Sequence, residues 1–421
     1  MSYPRYEAYK DSGVEWLGEI PIGWEIKKIH YVAKLKSGAS ITAEMMNEYD
    51  EIPVYGGNGL RGYFNAYTHD GEYILIGRQG ALCGNVNYAN GKFWASEHAI
   101  VVSPTLKYET LWLGELLRAM NLNQYSISAA QPGLSVEQIE KLKIPLPPLP
   151  EQQAIATFLD RETVRIDTLI AKQEQMITLL QEKRKAIISH AVTRGLDPNV
   201  PLKDSGVEWL GKVPEHWEVK RLKFIANVRT GVAKGRELVG RDLIKLPYLR
   251  VANVQDGYLD LSDVSTIDIA CDEIDRYLLQ PGDVLMNEGG DYDKLGRGYV
   301  WQGEIEGCVH QNHVFAVRPY NTANSFWINL ATQASYAKQY FISRSKQTTN
   351  LASISSSNIQ EWPVVMPPDT ERQIILQVVQ DETTKIDMLI TKVKSAIDLL
   401  KEHRTSLISA AVTGKIDVRS L

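Results

Sequence analysis

The chain has 421 residues, 44% hydrophobic and 23% charged, which is too apolar for a disordered protein and, at about 150 residues per domain, suits two to four domains. Its net charge of −5 is spread without any basic block, which speaks against a strongly basic nucleic-acid binder. Cys83, Cys271 and Cys308 are too few for a disulfide framework, and there is no run of 18 apolar residues and no signal-peptide pattern, so a reducing cytoplasm is the expected location.

The first element is an entry segment that comes back later. Lys10-Asp11-Ser12-Gly13-Val14-Glu15-Trp16-Leu17-Gly18 recurs without change as Lys203 to Gly211. The match continues through Trp24-Glu25 and Trp217-Glu218. A second match, at a larger offset, pairs Arg165-Ile166-Asp167 with Lys385-Ile386-Asp387 and Ala191-Val192-Thr193 with Ala411-Val412-Thr413. The chain is an internal duplication whose second copy carries about 27 extra residues in its middle. Trp16, Trp24, Trp209 and Trp217 read as frame residues rather than base-stacking ones.

The two middles diverge. Each holds short strand-like runs broken by Gly and Asn: 72–76 and 99–102 in the first copy, 283–286 and 313–317 in the second. Leu75 to Gly80 lines up with Leu285 to Gly290, and His98 with His313. After Pro147-Pro148 and Pro367-Pro368 the chain runs about 40 residues in helical pattern. Steps of four and three pick out Ile155, Leu159, Glu162, Ile166, Leu169 and Met176 onward to His190. In copy two they pick out Ile375, Val379, Glu382, Ile386, Leu389, Ala396 and His403 onward to Ala410. The expected fold is α+β: two pseudo-repeated α/β domains separated by two long helices that pair as an antiparallel coiled coil. The expected boundaries are 1–146, 147–196, 197–366 and 367–421. Glu162 and Glu382 would set the register of the pair.

Catalytic signatures are missing. Gly206 to Lys212 has phosphate-loop spacing, but Val213 stands where a hydroxyl is needed. Cys308, His310 and His313 lie within six residues with no separated second ligand pair, so ordinary strand residues are the expectation. Asp291 and Asp293 have no glutamate at calcium-loop spacing.

The repeated Ser-Gly-Val-Glu-Trp-Leu-Gly, the Pro-rich run 145–153 leading into a long helix, its relative at 366–373, and Phe93-Trp94-Ala95-Ser96-Glu97-His98-Ala99 together carry a resemblance. The chain resembles the specificity subunits of Type I restriction-modification systems, over essentially its whole length. The resemblance implies a non-catalytic subunit with two target-recognition domains, each reading one half of a bipartite site in double-stranded DNA. The helices would set the spacer and dock two modification (adenine methyltransferase) subunits, and two restriction subunits could join for cleavage. It implies no cofactor in this chain, S-adenosylmethionine in the modification partner, and ATP and magnesium in the restriction partner.

Base readout needs polar side chains at groove edges. The first-copy candidates are Tyr55, Gly57, Asn58, Arg61, Arg78, Gln79 and His98. Those of the second copy are Arg250, Asn253, Glu288, Asp291, Arg297 and His313. For each, a plain solvated loop side chain is an equal alternative. Arg161, Arg165, Arg184 and Lys385, off the apolar stripe, are candidates for the partner interface. The competing reading is a scaffold or adaptor with the same frame that does not bind DNA, which the missing basic block favours.

Overall fold

The computed structural model describes residues 3–80, 82–126, 133–290, 295–347 and 352–421. The chain divides into two compact units, residues 1–174 with 394–421 (unit 1) and residues 175–393 (unit 2). The division passes through both long helices, Leu149–Arg194 and Asp369–Val412, so each unit holds one globule and a part of each helix.

The nine-residue repeat folds into the same hairpin twice. In unit 1 Tyr9–Asp11 pairs antiparallel with Glu19–Pro21; in unit 2 Leu202–Asp204 pairs with Lys212–Pro214. The Asp11 and Asp204 carboxylates each accept from the N–H two residues on, at 2.9 Å. Gly18 and Gly211 close the turns at φ +63° and +69°, a region that glycine enters without penalty, and each donates its N–H to the residue-14 or residue-207 carbonyl at 3.1 Å. The repeat is therefore retained as a turn, with Trp16 and Trp209 on it.

A buried tryptophan follows each hairpin. Trp24 donates its indole N–H to Glu151 Oε1 at 3.0 Å, and Trp217 donates to Glu371 Oε2 at 3.0 Å. Both glutamates lie in the first turn of a long helix, where the helix dipole also favours a carboxylate. The same indoles cover the last turn of the other helix. A Cβ at Gly414 would lie 3.0 Å from the Trp24 ring, and one at Gly195 would lie 3.1 Å from the Trp217 ring.

The predicted strand runs are all present. In unit 1 an antiparallel sheet has the order Ala33–Ser37, Ala99–Pro104, Tyr73–Gly77, Val86–Ala89. In unit 2 the same order is filled by Ala226–Thr230, Val314–Pro319, Val284–Asn287 and Gly298–Val300. One face is covered by Trp112, Leu113 and Leu116 of a helix in unit 1, and by Trp327, Ile328 and Ala331 in unit 2. A second sheet in each unit contains a parallel pair: Ile52–Gly56 with Lys92–Ala95, and Leu243–Leu249 with Val309–His310.

The long helices run antiparallel within each unit. Arg404 reaches Asp167 at 3.0 Å in unit 1, and Arg184 reaches Asp387 at 3.4 Å in unit 2. The covered stripe departs from strict heptads. It runs Ile155, Leu159, Glu162, Ile166, Ile170, Gln173, Ile177, Leu180, Arg184, Ile188, Ala191 on the first helix. On the second it runs Ile375, Val379, Thr383, Ile386, Ile390, Val393, Ile397, Leu400, Arg404, Ile408, Ala411. Each takes 36 residues in ten steps, the 3.6 of a straight helix, so the expected positions drift off the stripe. Leu169, Met176, Leu389 and His403 are exposed. Glu162 stays buried in the stripe, whereas Glu382 lies beside it and Thr383 takes its place. Among the described residues no helix is long and apolar enough to cross a membrane.

Where the first edge strand ends, backbone meets backbone. A Cβ at Gly38 would run into the Ala95 and Ser96 carbonyl oxygens, and one at Gly231 into those of His310 and Gln311. The Gly38→Ala variant should lose about 1–3 kcal/mol of stability in denaturant unfolding, while Gly23→Ala, whose Cβ meets nothing, should stay within about 0.5 kcal/mol. His310 adds a pH dependence. It is buried, with Nδ1 donating to the Val314 carbonyl at 2.7 Å, and burial pushes its imidazole down from 6.5 to about 4. The unfolded chain takes up a proton below about 6.5 that the fold refuses. Stability should therefore be full above that pH and fall, by about 2–3 kcal/mol, as pH drops toward 4. Unfolding midpoints at pH 7.5, 6 and 5 should show this slope, and His310→Gln should flatten it.

Candidate nucleic-acid interface

Three loops of unit 1 converge at one end of its sheets. One is the turn after Ile52–Gly56, one follows Tyr73–Gly77, and one precedes Ala99–Pro104. They line an open cavity of about 340 Å³, walled by Gly57, Asn58, Arg61, Gln79, Leu82 and His98. Five of the seven candidates of the first copy thus meet at one place. Arg78 stands beside them: its N–H donates to the His98 carbonyl at 2.9 Å. Tyr55 has a different role. Its ring packs edge-on against Phe93 at 5.8 Å and its carbonyl accepts from Ser96, so it supports the wall.

Close approach of backbone builds this place. A Cβ at Gly57 would lie 3.1 Å from the His98 carbonyl oxygen, and one at Gly77 would lie 2.8 Å from the Leu82 carbonyl oxygen. Gly56 leaves room for the stem of Arg61, which lies over it. His98 is held on both ring nitrogens, with Nδ1 3.2 Å from Gln79 Oε1 and Nε2 3.4 Å from Glu97. Asn85 donates to Asn58 Oδ1 at 3.0 Å. The Arg61 and Arg78 guanidiniums make no hydrogen bond or ion pair among the described residues, so they remain available as donors.

Unit 2 repeats the backbone stations with other side chains. The Glu288 N–H donates to the His313 carbonyl at 2.9 Å, as Arg78 does to His98. The Glu288 carbonyl accepts from Ile354, as that of Arg78 accepts from Leu134, both at 2.9 Å. His313 Nδ1 lies 2.6 Å from Glu288 Oε2. Most of the added length falls between matched stations: Tyr55 to Arg78 spans 23 residues and Leu249 to Glu288 spans 39.

That insertion changes what the other candidates do. Arg250 is paired to Asp263 at 2.8 Å. Asn253 is buried, with its amide nitrogen donating to the Asp260 and Asp263 carbonyls and its oxygen accepting from Arg250 N–H. Asn253 is a brace for the loop and is not placed to reach a base edge, because its amide hydrogens are both engaged. Arg297 donates to Gln255 at 3.0 Å. Asp291 and Asp293 lie outside the described residues. Among the described residues no three His, Cys, Asp or Glu side chains gather as metal ligands, and burial pushes the Cys308 thiol up to about 12.

The four interface candidates on the helices are all engaged within the chain. Arg161 and Arg165 both reach Glu162, at 3.1 and 3.3 Å, and Arg161 also donates to the Leu421 carbonyl. Arg184 holds Asp387 and Lys385 holds Glu382. Of the exposed apolar side chains of the same helices, Leu169, Met176 and Leu389 were expected in the seam, and the others had no signal of their own in the periodicity. The exposed set is Val164, Leu169 and Leu399 in unit 1, and Met176, Leu179, Ile374, Val378, Met388 and Leu389 in unit 2. Glu97, Asn85, Gln255 and Asn287 were also not singled out; only Glu97, next to His98 in the Phe93–Ala99 run, could have been.

Comparison with known proteins agrees with this architecture. Residues 21–179 match the family model for the Type I restriction modification DNA specificity domain. A 165-residue stretch is 41% identical to the Type I restriction enzyme EcoprrI specificity subunit of Escherichia coli. That match spans 38% of this chain and about two fifths (41%) of that relative's length. The EcoKI specificity subunit of Escherichia coli K12 is 24% identical over 95% of this chain and 90% of its own. Among solved structures, a chain from a study of the complex assembly and conformational transition of the type I R-M system has a TM-score of 0.69. It is 17% identical, over 93% of this chain and 98% of that one. The HsdS subunit from Thermoanaerobacter tengcongensis has a TM-score of 0.52 at 15% identity, over 94% of this chain and 98% of that one. In its duplicated frame, its paired helices and the match of residues 21–179, the chain is similar to the Type I restriction-modification specificity subunits.

Proposed function

We propose that this chain is the non-catalytic DNA-reading subunit of a Type I restriction-modification complex in the cytoplasm. Each unit reads one half of a bipartite target through the loops around Arg78 and His98 or around Glu288 and His313. The observation that carries this reading is that one backbone station occurs twice, held by the same hydrogen bonds, with different polar side chains mounted on it. Such a design suits two half-sites of different sequence read from one repeated frame. The acid-leaning charge fits a reader whose phosphate affinity comes largely from its partners.

The division of labour follows the expected boundaries. Residues 1–146 and 197–366 recognise DNA, while 147–196 and 367–421 fix the spacer and dock two modification subunits, which restriction subunits join. The exposed apolar side chains on the helices support docking there, because such side chains at helical spacing suit a partner helix better than a phosphate surface. Arg161, Arg165 and Lys385 would flank that contact while orienting the acids they hold; Arg184, expected off the stripe, lies in it and holds Asp387 of the other helix.

The first test is adenine methylation of the host genome at base resolution, with the gene intact and deleted. Loss of one bipartite motif on deletion is expected; an unchanged methylome in cells expressing both this chain and its modification subunit would overturn the reading. Exchanging residues 40–130 for those of a relative should change one half-site and leave the other and the spacer alone. Deleting one heptad from each of 151–193 and 371–413 should change the spacer and preserve both half-sites; altered half-sites at constant spacer would contradict the assignment of the helices.

A further inference from the structure

Glu288 is an odd side chain to find at a DNA-facing station. A carboxylate there is repelled by every phosphate nearby, whatever the sequence. It is nevertheless held in one orientation. Asn312 Nδ2 lies 3.4 Å from His313 Nε2, which as an acceptor leaves the ring proton on Nδ1. That proton is donated to Glu288 Oε2 at 2.6 Å. Glu288 Oε1 has no hydrogen-bond partner among the described residues. The backbone on both sides of the carboxylate is pinned, by the His313 carbonyl and by the Ile354 N–H. Next to it the chain is bare: Gly289 and Gly290 follow, and a Cβ at Gly289 would lie 2.8 Å from the Ala352 carbonyl oxygen. A fixed acceptor thus projects from a stretch of backbone without bulk, and its side chain is about one quarter exposed.

We propose that Glu288 is a specificity-determining residue, whose free carboxylate oxygen accepts a hydrogen bond from the amino group of a cytosine in the half-site that unit 2 reads. The inference rests on the reading of this chain as the DNA-recognition subunit. Major-groove chemistry selects the base. Guanine and thymine offer only acceptors there, which would face the carboxylate oxygen with lone pairs. Adenine offers an amino group beside the N7 acceptor, whereas cytosine offers its amino group without one. A wrong base leaves the second carboxylate oxygen desolvated and without a donor, so the charge acts by rejecting other sequences more than by adding affinity. At the matching station unit 1 carries Arg78, donor-only and without a side-chain partner among the described residues, which suits the acceptor edge of a guanine. The two half-sites are therefore read with opposite polarity at one equivalent place.

The experiment uses the complete complex of this chain with its modification subunits, and a DNA library randomised in both half-sites. The exchange of residues 40–130 identifies which half-site belongs to which unit. The wild-type complex should require cytosine at one position of the unit 2 half-site. In Glu288→Gln, which keeps a partner for His313, and in Glu288→Ala, that requirement should weaken about ten- to hundred-fold. The unit 1 half-site and the spacer should not change, which also certifies folding and assembly. Arg78→Ala should relax one guanine position of the unit 1 half-site only. A wild-type bipartite site that both Glu288 variants read with unchanged preference would overturn this proposal and leave the proposed function standing. Absence of any bipartite site in the wild type would overturn the proposed function itself. Relaxation at a position whose preferred base is not cytosine would overturn the assignment of the base.

Discussion

Each unit depends on one buried indole. Trp24 stands between the first turn of one long helix, through Glu151, and the last turn of the other, at Gly414. Trp217 does the same with Glu371 and Gly195. The charged hydrogen bond fixes the ring, and the glycine lets the helix end come against its face. A side chain at Gly414 or Gly195 would separate helix end from indole. Because the hairpin leads straight into the tryptophan, its turn geometry decides where the ring arrives. The repeat is conserved within the chain because the same junction has to be made twice.

The loops that carry the candidate residues hang on that frame through the same backbone contacts in both units, to which side-chain contacts are added. His98 and His313 both accept at their carbonyls from the loop that carries the candidate readers, and Leu134 and Ile354 close the other side. Main-chain bonds hold the loop whatever side chain it bears. That independence is what lets Arg78 in one unit be Glu288 in the other without disturbing either sheet. Glycine makes it possible, since a Cβ at Gly77 would collide with the Leu82 carbonyl and one at Gly57 would crowd that of His98.

The insertion in the second copy shows the opposite behaviour. The segment between Leu249 and Glu288 adds a braced loop in which Asn253 and Asp263 absorb polar groups that the sequence offered as readers. In the first copy the corresponding segment is shorter and is mostly strand, Gly59–Phe64 and Tyr73–Gly77, and Asn58, Arg61, Gln79 and His98 stay at the cavity wall. Polar residues in loops look alike along a chain. Whether they face outward depends on which neighbouring carbonyls and carboxylates reach them first.

The amino-acid sequence alone determined the duplication, the α+β class, the strand runs and the two long helices, because these rest on local periodicity, turn residues and identical segments. It also marked Arg78, Gln79, His98, Glu288 and His313, through their place at strand ends. The tertiary structure decided the rest. It moved the covered stripe from Glu382 to Thr383, since a straight helix keeps 3.6 residues per turn over its whole length. It turned Asn253 inward and engaged Arg161, Arg165, Arg184 and Lys385 with acids of the chain, because a polar side chain bonds to whatever the fold brings within 3 Å or so. The Arg184–Asp387 pair is a product of packing between distant segments, which no local pattern carries, whereas Arg161, Arg165 and Lys385 bond to acids one or three residues away on their own helices.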